Sequence, residues 1–129
     1  MKIEEILKSL IVEEPNSNLG YLTTNFENAL KIIANERDIN LYNLDKHQKA
    51  RFPFIGEFFE NIFIENDEVL KNELFQKEVS RTIQKNRVLI LKTDFELNEI
   101  EEIFDKLNFS DFSRFDDEKI IVAKRWFKW

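Results

Sequence analysis

Apolar residues repeat at helical spacing through most of the chain and change period near Arg87. Met1, Ile3, Ile6, Leu7, Leu10 and Ile11 predict an amphipathic helix from Lys2 to about Glu14, stopped by Pro15, which cannot continue the hydrogen-bond ladder. An Asn16-Ser17-Asn18 turn follows. Thr24 with Glu27 three residues on reads as a capping box opening a second helix, whose Phe26, Ala29, Leu30 and Ile33 share a face and which ends near Arg37. Residues 39–44 fit either a short strand or an irregular connection.

Pro53 suits the first turn of a helix, and Phe54, Ile55, Phe58, Phe59, Ile62 and Phe63 recur at helical offsets, so 54–64 reads as a third helix, with a β-hairpin as its rival. Asn66 or Asp67 would cap a long helix that turns Val69, Leu70, Leu74, Phe75, Val79 and Ile83 inward. Beyond Arg87 the run Val88, Leu89, Ile90, Leu91 is unbroken, as in a strand buried on both faces. Thr93 and Glu96 repeat the capping pattern before a helix carrying Leu97, Ile100, Ile103, Phe104 and Leu107. Strands at Asp111 to Phe115 and Lys119 to about Phe127 flank an Asp116-Asp117-Glu118 turn. The expected fold is α+β: a mostly helical N-terminal two-thirds packed on a small C-terminal βαββ sheet, in one domain spanning residues 1–129.

Composition supports a folded chain, since 43% of its residues are hydrophobic and 34% charged. Two glycines against thirteen phenylalanines leave few places where the backbone turns freely to positive φ, which favours helices over a many-turned β-sandwich. The abundance of Phe, Ile, Asn and Lys points to an AT-rich bacterial or phage genome. Without cysteine, disulfides and thiolate metal sites are excluded. Glu4 and Glu5 stand where a secretory signal would be basic and apolar, and no run reaches the length of a membrane span, so a cytoplasmic protein without membrane contact is expected.

Charge is unevenly placed. Ten acids lie between Asp94 and Glu118 against Lys106 and Arg114 alone, an excess of eight within a chain whose formal net charge is −6. Such a field steers a basic protein partner, and Glu99, Glu101, Glu102, Asp105, Asp116 and Asp117 are its candidate contacts. The competing reading is the solvated side of one helix and a turn. At the C-terminus Lys124, Arg125, Trp126, Lys128 and Trp129 join cations to rings on which bases stack, an alternative nucleic-acid site that Lys46, His47, Gln48, Lys49 and Arg51 would extend. A covered strand end is the plainer reading of Trp126.

Catalytic signatures are missing. His47 is the sole histidine, no serine lies in a nucleophile elbow, and Gly20 and Gly56 build no phosphate-cradling loop. Glu99 and Glu102 share a helical side without a ligand loop, and Asp94, Asp117 and Glu118 with Lys119 form only a loose metal-hydrolase pattern. The reading is a non-catalytic binding module without catalytic residues, metal or cofactor: a small inhibitor, an immunity- or antitoxin-like factor, or a phage antagonist.

Overall fold

The computed structural model describes residues 2–126. Strand and helix alternate from the start of the chain: α1 (Ile3–Leu10), β1 (Asn18–Leu22), α2 (Glu27–Arg37), β2 (Asn40–Asn43), β3 (Asn61–Ile64), α3 (Glu73–Thr82), β4 (Val88–Lys92), α4 (Leu97–Phe104), β5 (Phe109–Phe115) and β6 (Ile120–Arg125). All six strands form one sheet, ordered β2-β1-β3-β4-β6-β5. β2, β1, β3 and β4 run parallel, whereas β6 returns antiparallel to both β4 and β5.

Side chains alternate across this sheet. Ile62 and Ile64 of β3, Leu89 and Leu91 of β4, and Ile121 and Ala123 of β6 pack with Phe75 and Val79 of α3 and with Ile100 and Phe104 of α4. Phe63, Ile90, Ile120 and Val122 turn the other way, toward Ile6 and Leu7 of α1 and Leu30 and Ile33 of α2. Helices cover both faces, so the central strands are apolar on both sides.

That double burial corrects the expected architecture. The N-terminal two-thirds is not a helical layer on a small sheet; it contributes three of the six strands, and the βαββ elements are one half of a larger mixed sheet. Residues 39–44 resolve as β2. The third helix expected over 54–64, and its hairpin rival, are replaced by an irregular approach and β3, whose Ile62-Phe63-Ile64 run lost the period of two that marks a half-exposed strand. The long helix expected after Asn66 is split: Asn66 Oδ1 accepts from Val69 N at 3.0 Å over a 3-10 turn, and Asn72 Oδ1 caps α3 by accepting from Phe75 N at 3.0 Å.

Gly20 sits inside β1, where an added Cβ would meet the Phe59 ring at 3.1 Å. The glycine serves close packing of a phenylalanine over the strand. Among the described residues no helix is long and apolar enough to cross a membrane.

Candidate functional site

Strand order fixes where a site can form. From β1 the chain crosses to β2 on one side, and the next strand, β3, returns to the other side of β1. The crevice outside the carboxyl ends of β1 and β3 is therefore the topological switch point, where open α/β sheets receive ligands. Here it is a cleft of about 290 Å³ lined by Thr24 and Asn25 after β1, Glu65, Asn66 and Asp67 after β3, and Lys92, Thr93 and Asp94 at the end of β4.

Glu65 continues β3 beside β1, its N–H donating to Leu22 O at 2.7 Å. Its carboxylate closes the turn between β1 and α2. Oε1 accepts from Thr23 Oγ1 at 2.6 Å and from the backbone N–H groups of Thr24 and Asn25, each at 3.1 Å, while Oε2 accepts from Asn25 Nδ2 at 2.9 Å. Thr23 Oγ1 in turn accepts from Phe26 N at 3.2 Å, where the capping box expected at Thr24 and Glu27 does not form. Burial pushes the Glu65 carboxyl up, but the hydrogen bonds from Thr23, Asn25 and Thr24 outweigh it and hold it below its ordinary value.

Asp67, two residues further, does the same for the turn after β4. Its Oδ1 accepts from Thr93 Oγ1 at 2.5 Å and its Oδ2 from Asp94 N at 3.3 Å. Lys119 completes this corner: Nζ lies 2.9 Å from Asp94 Oδ1, and its carbonyl accepts from Thr93 N at 3.0 Å. The hydrogen bond from Lys119 keeps the Asp94 carboxyl low. Behind the cleft, the Tyr21 hydroxyl donates to Glu27 Oε2 at 2.7 Å and ties β1 to the start of α2. Burial, with that carboxylate beside it, pushes the Tyr21 hydroxyl up to about 12.

The residues singled out in the sequence are divided between this edge and the opposite end of the sheet. Glu99, Glu101 and Glu102 are exposed on α4 and Asp105 follows its end, whereas Asp116 and Asp117 are exposed in the β5–β6 turn. Arg114 draws part of the acidic stretch together, pairing with Asp116 at 3.4 Å and with Glu96 at 3.7 Å. Asp94, Asp117, Glu118 and Lys119 line one shallow depression, yet no group of three or more potential metal-ligating side chains is arranged to hold an ion among the described residues.

The basic and aromatic candidates separate. Residues 46–51 follow the carboxyl end of β2, but β6 runs antiparallel and delivers Arg125 and Trp126 to the opposite end of the sheet, where Asn86 N donates to Arg125 O at 2.8 Å. Arg125 is committed to the backbone, donating to Ser80 O at 3.1 Å and Trp126 O at 2.8 Å. Trp126 is 52% exposed, and Lys124 lies half-buried in β6. Lys128 and Trp129 lie outside the described residues, as does the expected end of the last strand at Phe127.

Solved structures share this architecture. The complex between the Trm112 methyltransferase activator and a methyltransferase from Haloferax volcanii matches with a TM-score of 0.68 over 95% of this chain and 88% of the other, at 9% identity. An S-adenosylmethionine-dependent methyltransferase from Aquifex aeolicus gives 0.67 over 93% and 86% of the two chains, at 11% identity. Geranyl diphosphate C-methyltransferase from Streptomyces coelicolor, solved with Mg²⁺, geranyl diphosphate and S-adenosylhomocysteine, gives 0.70 over 95% and 78%, at 8% identity. This is the fold of methyltransferases. No family model matches the sequence, and no curated protein matches it.

The likeness overturns the functional expectation. An inhibitor-like, non-catalytic binding module, or a nucleic-acid binder in its place, was expected from the missing catalytic signatures, the small size and the acidic stretch; the chain instead shares its fold with solved methyltransferases. The methyltransferase fold also implies an adenosyl cofactor, and the residues at the switch point do not fit one held by the first turn. In doubly wound sheets that turn is glycine-rich, so that the backbone approaches the ligand and leaves N–H groups directed at it. Here it reads Thr23-Thr24-Asn25-Phe26, and the Thr24 and Asn25 N–H groups are already bonded to Glu65.

Glu65 was missed in the sequence, and Asp67 was read only as a candidate helix cap. Their signal is an apolar run that ends in acids, Ile62-Phe63-Ile64-Glu65-Asn66-Asp67, and it is informative only when the run is read as a strand.

Proposed function

We propose that the chain is a methyltransferase-type protein that works at its carboxyl-edge cleft, taking there a small polar ligand that carries positive charge. The observation that carries this reading is the cleft's position at the switch point between β1 and β3, where the ends of three parallel strands converge. With Asp94 paired to Lys119, Glu65 and Asp67 still outnumber Lys92 along its lining, which favours a cation over an anion.

A protein partner belongs to the same reading, supported by the matched structure of a methyltransferase activator in complex with a methyltransferase. So does a cytoplasmic location, which the cysteine-free sequence supports.

Thermal unfolding with choline and with acetate at matched ionic strength tests the cleft. Choline is expected to raise the melting temperature saturably and acetate to leave it unchanged, with Asp67→Asn reducing the choline effect. Equal responses to the two ions, or a choline effect that Asp67→Asn leaves intact, would sink the assignment.

A further inference from the structure

We infer that Glu65 occupies, from within the chain, the place a ligand takes at the first turn of this fold, so that S-adenosylmethionine is not held there. Three features lead to this. The turn lacks the glycines that allow close approach of a ligand to its backbone. The Thr24 and Asn25 N–H groups, in the turn between β1 and α2, both point at Glu65 Oε1, at 3.1 Å each. The side chains of Thr23 and Asn25 complete the same carboxylate's shell, so a ligand anion arriving at this turn would displace a charge bonded by four groups.

The arrangement is an anion site made by the backbone N–H groups of the turn ahead of α2, with the anion supplied by the residue that follows β3. Covalent attachment makes the internal carboxylate an intramolecular competitor, so an external ligand works against a high effective concentration. Gly20, in β1, is used for packing under Phe59 and does not compensate for the missing loop glycines. Thr24, Asn25 and Glu65 form one wall of the cleft, and their mutual hydrogen bonds are present whether or not a cation binds against Asp67 on its other side.

The test combines calorimetry with amide hydrogen exchange. Titration of the whole chain with S-adenosylmethionine to about 1 mM, a Kd range easily reached by a weak specific site, is expected to give no saturable heat. In the same protein the Thr24 and Asn25 amides are expected to be protected, and to exchange about tenfold faster or more in Glu65→Gln, which keeps the shape and removes the charge.

A second readout uses the unaltered chain. Because hydrogen bonds hold the Glu65 carboxyl below its ordinary 4.5, the protection is expected to persist at neutral pH and to be lost only on acidification below that value. Saturable S-adenosylmethionine binding that S-adenosylhomocysteine displaces and that shifts the Thr24 and Asn25 amides would overturn the inference. So would free exchange of these amides at neutral pH, or protection that Glu65→Gln and acidification both leave unchanged.

Discussion

Asn16, Asp38, Glu57, Asn86, Asn108, Asp111 and Lys119 hold positive φ, and none of the seven is glycine. Two glycines led to the expectation of few such positions, yet short Asn and Asp side chains tolerate the left-handed region and take most of them. The signal lay in the asparagines, which composition alone attributes to codon usage. Asp38 shows the cost. It ends α2 at φ 56° and donates its N–H to Ala34 O, while its exposed carboxylate lies at the negative end of the helix. Asp38→Gly is expected to stabilise the protein by about 0.5 kcal/mol, because relief of the Cβ and charge penalties exceeds the added chain entropy of glycine. Asp38→Val should destabilise it by about 1 kcal/mol, seen as opposite shifts of the urea midpoint at unchanged slope.

At the scale of elements, the segment leading into β3 was the hardest to read and is held by α3. Glu78 accepts from Phe52 N at 2.7 Å and from Arg81 at 2.7 and 3.0 Å, and Arg81 donates onward to Phe54 O at 2.9 Å and Phe52 O at 3.2 Å. Above this clamp Phe54 stacks on Phe58 at 5.0 Å, and Tyr42 meets the edges of both rings. Aromatic rings spaced three and four apart satisfy a helical template, but here they pack around Tyr42 of β2 in irregular backbone. The long-range partner that decides between the two lies in α3. Arg81→Met is expected to cost about 2–4 kcal/mol, because it leaves the largely buried Glu78 carboxylate with one donor. Arg81→Lys should recover little of that loss in urea unfolding, since an ammonium cannot reproduce the fork.

For the whole molecule, the sequence disclosed β4, α4 and the two strands that follow, because α4 is amphipathic and the β5–β6 pair closes over a polar turn. It concealed that these join a parallel half, since the Asn16-Ser17-Asn18 turn reading ran into β1 and the apolar residues leading into β3 recur at helical offsets. The site was hidden for the same reason. A switch point is a property of strand order, and Asp94 with Lys119, noted as neighbours of a loose pattern, are a structural pair at its border.

The split between a local hairpin half and a distant parallel half bears on how the chain reaches this state in time. β5 and β6 meet across the Asp116–Lys119 turn, whereas Glu65 must find Thr23 across 42 residues, a closure that costs chain entropy before it is rewarded. The C-terminal half should therefore form the folding nucleus, and the carboxyl-edge cleft should assemble last. In stopped-flow chevrons, Ile121→Val in β6 is expected to act mainly on the folding rate, with φ of about 0.5 or more, and Ile33→Val in α2 mainly on the unfolding rate. The reverse ranking would place the nucleus in the parallel half, with the cleft formed before the hairpin.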